Sequence, residues 1–378
     1  MLTSAHMKRR ILPFALILGS LAAVYACSSS DNATSSGGTT TPEGGPTSEG
    51  GPSNMEGGPI DPDSSTNPDA PVTPTTDPLQ GTAAPKQVAD ALGYADGPQW
   101  WQDTLYVSRP LDGFLEKVDL SNGSVTEVTA RNGQKIFGNS VDKSNFLISA
   151  GVTIGVVRAA PDGGAVTPIA TTYNNGDGGI VAFNAANDLV QHTASGTIFV
   201  TDPGFLAMTP ATTNHLVRVL SDGGAFLHEE FADNAGPNGI ALSKDGSTLY
   251  ISVSSPVLGT KPYIKKYAVS TSGGLSAGTK FAELPHPTVD PSAAGATNDE
   301  PDGMAVDDNG NVYVAWRLGI NVYKADGTRY GAEPSIALGA PNQPTNLTFG
   351  RADRKSLFIT TSSGKIFEAV LNVPGLLQ

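Results

Sequence analysis

One cysteine in 378 residues leaves Cys27 without an intrachain partner, so disulfide staples and thiolate chemistry in the folded part are excluded. Base is scarce as well: 23 Lys and Arg stand against 36 Asp and Glu, a formal charge of −13. No cluster of Lys and Arg forms a basic patch, and an acidic chain repels a phosphate backbone, so no nucleic-acid partner is expected. Aromatic residues make up only 7%. Long apolar runs of helical period are missing too, which excludes a helical bundle and leaves an all-β class rich in Gly, Thr and Val.

The one sustained apolar stretch, Ile11 to Ala26, follows Lys8, Arg9 and Arg10 and ends in small residues at Val24-Tyr-Ala-Cys27. It is short for a bilayer span and has the layout of a secretory signal, so 1–26 is read as a signal peptide. The last four residues resemble the lipobox of bacterial lipoproteins. That resemblance implies lipidation of Cys27 and a lipid-anchored protein of the bacterial cell envelope. Ser28, rather than an acid, after the cysteine points to the outer membrane. Residues 27–82 read as a disordered tether of Ser, Thr, Gly and Pro, with repeats such as Glu43-Gly-Gly-Pro46. It has too little apolar surface to offset its ordering entropy and would span about 40 Å as a flexible coil. Removing the three bases of the signal and the eight acids of the tether leaves 20 bases against 28 acids for the remaining domain.

Within 83–378 a short β-forming run recurs six times: 104–108, 145–149, 197–201, 248–252, 311–315 and 356–360. The fourth repeat reads as strand, hairpin, strand (Ile240–Leu242, Ser243-Lys-Asp-Gly246, Leu249–Ile251), followed by two further strands at Ile264–Val269 and Thr279–Glu283. Four strands per unit and six units predict a six-bladed β-propeller. A carboxylate or carboxamide precedes each run: Asp96, Asn139, Asn187, Asn238, Asp302 and Asn346. In a propeller such residues ring one mouth of the central channel. Oxygen ligands with two carboxylates suit a hard divalent cation, calcium foremost, then Mg2+ or Mn2+; Zn2+ fits least, because the ring lacks His and Cys.

Gly274-Leu-Ser-Ala-Gly278 has the spacing of a nucleophile elbow, but its Ser/Gly-rich context reads as an outer hairpin turn. His192, His215, His228 and His286 lack a partnered nucleophile and read as structural, and Trp100, Trp101 and Trp316 as packing between blades.

Asp96-Gly-Pro-Gln-Trp100, Ala186-Asn-Asp-Leu-Val190 with Thr201-Asp-Pro203, Gly236-Pro-Asn-Gly-Ile240, Pro301-Asp-Gly-Met-Ala305 and Pro344-Thr-Asn-Leu347 resemble the gluconolactonase family, which includes regucalcin (senescence marker protein) and luciferin-regenerating enzyme. The resemblance implies a divalent metal held by Asp96, Asn238 and Asp302, with Asn187 on the substrate and Asp302 as general base. It implies hydrolysis of a small lactone or ester, by a monomer. Two departures stand out: the family usually has Glu at the place of Asp96, and Ala185 and Ala186 stand where some relatives carry a substrate-holding Arg. The alternatives are a non-catalytic, calcium-stabilised propeller that binds a surface glycan or protein, and a phosphotriesterase-like hydrolase.

Overall fold

In a computed structural model, residues 76–90, 93–128, 135–152, 154–159, 166–204, 213–232, 235–255, 257–289 and 300–378 are described. The signal peptide, Cys27 and most of the tether therefore lie outside the described residues. Residues 77–82, placed by the sequence reading in the tether, form a turn in which Asp77, Pro78 and Gln80 accept hydrogen bonds from Asn372.

Six sheets, antiparallel but for one parallel pairing in the third, follow one another along the chain. Blade 1 runs Asp96–Trp101, Thr104–Arg109, Phe114–Asp119 and Ser124–Glu127 from channel to rim. Blade 2 runs Ile136–Val141, Leu147–Gly151, Gly155–Ala159 and Thr167–Ala170. Blade 3 runs Leu189–Gln191, Ile198–Asp202, Asn214–Val219 and Ala225–Phe231, and its outer edge is extended by a hairpin, Thr172–Asn174 with Ile180–Ala182. Blade 4 runs Gly236–Leu242, Thr248–Ser254, Tyr263–Ala268 and Thr279–Glu283; blade 5 runs Met304–Val306, Val312–Trp316, Gly319–Tyr323 and Ile336–Ala337. Blade 6 runs Pro344–Gly350, Ser356–Thr361 and Lys365–Val370, and takes its outermost strand, Lys86–Asp90, from before blade 1.

That borrowed strand joins the start of the domain to its last blade and so closes the ring, leaving each blade only a short outer edge. The six β-forming runs all lie on second strands, which are covered on both faces by neighbouring blades and so can be apolar at successive positions. Leu105, Val107, Leu357, Ile359, Val312 and Val314 are all fully buried there. One apolar cluster fills each blade-to-blade interface. Trp100 and Leu105 with Phe358 and Ile366 join blades 1 and 6, and Trp101 and Tyr106 with Leu147 join blades 1 and 2. The tryptophans are packing residues: Trp100 stacks on Phe358 at 5.5 Å, Trp101 donates to Asn145, and Trp316 is buried. Ser276 lies in an exposed turn where its hydroxyl accepts from the Ala268 amide, so the Gly274–Gly278 segment is a hairpin turn.

The segment 371–378 crosses the far end of the channel. Leu376 donates to the Val306 carbonyl, and Gln378 accepts from the Leu242 amide at 2.8 Å. Above it the channel narrows to a cavity of about 30 Å3 lined by Asn139, Asp188, Asn346 and Gln378, room for about one water.

Candidate metal centre and mouth of the channel

The six polar positions stand where each first strand enters the channel, in four blades at a β-bulge against the second strand. Register shifts fall between Asp96 and Gln99, Ile136 and Asn139, Pro237 and Ile240, and Pro344 and Leu347. A bulge adds a residue and re-aims the side chains around it. Counted back from the partners of Tyr106, Leu147, Phe199, Tyr250, Tyr313 and Phe358, the positions resolve into two registers rather than one ring. Asp96, Asn187, Asn238 and Asp302 share the outer register, in which blades 2 and 6 carry Gly138 and Thr345. Asn139 and Asn346 sit one residue further in, level with Asp188, which the sequence reading had not singled out.

Glycines make the two registers compatible. A Cβ on Gly97 would lie 2.8 Å from the Asn139 amide, on Gly138 2.1 Å from Oδ1 of Asp188, and on Gly303 1.9 Å from Oδ1 of Asn346. Each of these glycines leaves room for the next blade's polar residue.

The inner register is pinned by the protein. Asn139 donates to the Gly97 carbonyl (2.6 Å) and Ser108 (2.7 Å) and accepts from Ser149 (2.6 Å). Asp188 accepts from its neighbour Leu189 (2.9 Å), from the Ile240 amide and, across the channel, from Asn346 (3.2 Å). Asn346 also accepts from the Leu347 amide. Asn139 ties blade 2 to blade 1, Asp188 with Asn346 ties blades 3, 4 and 6, and these groups have little capacity left for a ligand.

The outer register differs. Asn238 is buried and its Oδ1 meets no hydrogen-bond partner. A buried acceptor left so costs of order 1–3 kcal/mol unless something absent from the fold fills it. Burial pushes Asp96 up to about 6, against hydrogen bonds from Gly97 and Asn346. Asp188 is pushed up to about 7 by burial and then by the charge of Asp96. Asp302 is held well above the usual carboxylate range, first by burial and then by Asp96, Asp188 and Glu300. Buried acids that repel one another create a site that favours positive charge.

Two carboxylates and one unpartnered amide oxygen fit a hard divalent cation, with coordination positions left for water or substrate. Among the described residues no three His, Cys, Asp or Glu side chains converge on a metal position. Beside Asp96 and Asp302, the residue that could complete such an oxygen set is Asn238, whose buried Oδ1 has no partner, while Asp188 is engaged in the collar beneath.

Two supporting features are absent from the sequence reading. Tyr94 lies close enough to Asp96, Asp302 and Glu300 for their charges, added to burial, to raise its phenol well above 10, so it stays a hydroxyl donor beside the mouth. The segment before Asn187 hangs on Asp202, whose Oδ1 accepts from Ala185 (2.7 Å) and Oδ2 from Asn184 (2.9 Å) and Tyr173 (3.2 Å). The Tyr173 hydroxyl is also 2.7 Å from Nδ1 of His215, and Tyr173 sits on the extra hairpin of blade 3. His215 is thus structural, as its isolation in the sequence implies. Ala185 and Ala186 are fully buried, so no side chain of that pair faces a ligand.

A family model described as the SMP-30/gluconolactonase/LRE-like region matches residues 94–363. The chain belongs to that family. It is 31% identical over 188 residues to a gluconolactonase of Zymomonas mobilis, covering 48% of this chain and 49% of that protein. It is 31% identical over 132 residues to a pentonolactonase of Haloferax volcanii, covering 34% and 38% respectively. The chain thus spans half or less of the length of these curated relatives. Among solved structures, a gluconolactonase from Xanthomonas campestris superposes with a TM-score of 0.63 at 24% identity, covering 78% of this chain and 91% of that one. A calcium-binding regucalcin from Agrobacterium tumefaciens superposes at 0.57 and 17% identity, covering 79% and 96%. Both establish the six-bladed fold of this family member.

Proposed function

We propose that this protein is a divalent-metal-dependent lactonase, with calcium as the resident ion, tethered to the cell envelope through lipid on Cys27. The observation that carries the reading is the contrast between the registers: the inner polar groups are consumed by the fold, whereas the outer ones keep a free, buried acceptor and mutually repelling acids. Lactonase chemistry is supported by the two curated relatives, a gluconolactonase and a pentonolactonase.

Asp96, Asn238 and Asp302 would hold the ion. A bound divalent cation supplies Lewis acidity at a carbonyl and a more acidic water, so no protein nucleophile is required. Asp302 accepts the proton of the attacking water. Asn187, fixed through its own amide to Thr201 (2.9 Å) and through its carbonyl to Gly138 (2.7 Å), holds the substrate. Tyr94 supplies a neutral donor at the same mouth. With Ala185 and Ala186 buried, this segment offers no cation to a sugar-acid substrate, so selectivity among lactones rests on the mouth.

The test is hydrolysis of a glucono-lactone, a pentono-lactone, an alkyl lactone, an aryl ester and a phosphotriester, each with calcium and with a chelator. Calcium-dependent ring opening is expected. Tight calcium binding without turnover would replace the enzyme by a binding module, and turnover of the phosphotriester alone would move it to another hydrolase class. For the tether, Cys27→Ser is expected to shift the protein from the membrane to the soluble fraction; an unchanged distribution refutes it.

A further inference from the structure

The fifth residue of each second-strand run falls in a common register: Ser108, Ser149, Thr201, Ser252, Ala315 and Thr360. All six are fully buried, and five bear a hydroxyl. A buried hydroxyl is costly unless bonded, so the question is where these bonds go. They go to the site. Ser108 accepts from the Asn139 side chain in the next blade (2.7 Å). Thr201 accepts from the Asp188 amide (3.1 Å) and lies 2.6 Å from the Asn238 carbonyl in the next blade, to which it donates. Ser252 accepts from the Gly239 amide (2.8 Å) and donates to the Asp302 carbonyl in the next blade (2.8 Å). Thr360 accepts from the Asn346 amide (3.2 Å) and lies 2.9 Å from the hydroxyl of Thr345, which donates to Ala95 in blade 1 (2.6 Å). Ala315 is the exception. Between blades 5 and 6 the Gly303 amide donates to the Thr345 carbonyl instead (2.8 Å).

From these bonds we infer that Thr201 and Ser252 are positioning residues, which set the main chain of Asn238 and Asp302 from one blade away. Neither touches the mouth. Each hydroxyl ties its own blade's bulge to the next blade's outer-register residue, so the distance between consecutive ligands is fixed by a side chain rather than by the strand ladders. Thr201 also joins the pinned collar at Asp188 to the free acceptor at Asn238. The functional consequence rests on the reading of Asn238 and Asp302 as metal-holding groups; the positional one does not.

Thr201→Val keeps the shape and removes the hydroxyl, while Thr201→Ser keeps the hydroxyl and removes the methyl. Calcium titration, lactone kinetics, melting curves and crystal structures of both are the measurements. The valine variant should fold, bind calcium about tenfold more weakly and lose kcat with KM little changed, as expected when a supporting contact behind a ligand is cut. Its Asn238 carbonyl should move away from residue 201, and the serine variant should restore all of these. Unchanged calcium affinity with Asn238 in place, or a serine variant as impaired as the valine one, overturns the inference. Ser252→Ala, read by the position of the Asp302 carbonyl, decides the matter if Thr201→Val does not fold. If the unmodified protein neither binds calcium nor opens lactones, the proposed function fails, and the crystallographic positions of Asn238 and Asp302 still decide the positioning claim.

Discussion

Asp302 and Asp188 are both acids of the channel, the first half-buried and the second buried, yet they have different work because their partners differ. Asp188 receives three donors from three blades. Asp188→Ala leaves those donors unmet, which costs of order 3 kcal/mol at typical values for buried orphan groups. Asp302→Asn removes a repelled charge, so its melting temperature should match or exceed that of the unmodified, calcium-free protein. Its calcium affinity and lactone turnover should instead fall by about a hundredfold or more, a typical cost of losing a general base. Melting curves and calcium titrations of the two variants check this division; equal behaviour would merge the two registers. The chain's letters show the six polar positions but not their division. A bulge shifts one strand by a residue, and its place depends on which residue the next blade can tolerate. One signal was readable: Gly follows Asp96, Asn238 and Asp302 but precedes Asn139, and Asp188 follows Asn187. Tyr94 left no such trace, because it belongs to no repeat.

At the scale of elements, the second strands were the most legible, since burial on both faces leaves an apolar run between turn signals. The closing strand Lys86–Asp90 was not. It is a half-exposed rim strand whose polar residues carry no period, and its pairing with Lys365–Val370 spans nearly the whole domain. The extra hairpin of blade 3 was equally hidden, though its purpose is visible in the bonds of Tyr173. Tyr173→Phe keeps the edge-on contact with Phe183 and removes the hydroxyl shared by Asp202 and His215. The expected loss is about 1 kcal/mol in denaturant unfolding, the usual net worth of such a bond. A loss near zero would mean that Asp202 is fully held by the Asn184 and Ala185 amides.

For the whole molecule, the mouth acids couple folding to pH and to metal. Asp96 and Asp188 are raised to about 6 and about 7 in the fold, and Asp302 shifts in the same direction. A carboxyl with a raised folded pKa binds its proton more tightly in the native state. Its stabilising contribution is therefore complete below the unfolded value near 4 and disappears as pH rises through the folded one. The chelated protein should melt at progressively lower temperature between about pH 4 and pH 7, and added calcium should reverse that trend by neutralising the acids. A chelated protein that gains stability over this range would show that the mouth acids are not what the fold holds against their charge.

The most direct test of the account is a crystal structure grown with calcium. The ion is expected at the channel mouth on oxygens of Asp96, Asn238 and Asp302, with Asn139, Asp188 and Asn346 keeping the bonds described above. An ion seated instead on Asp188 and Asn346, or a mouth that binds none at saturating calcium, would contradict it.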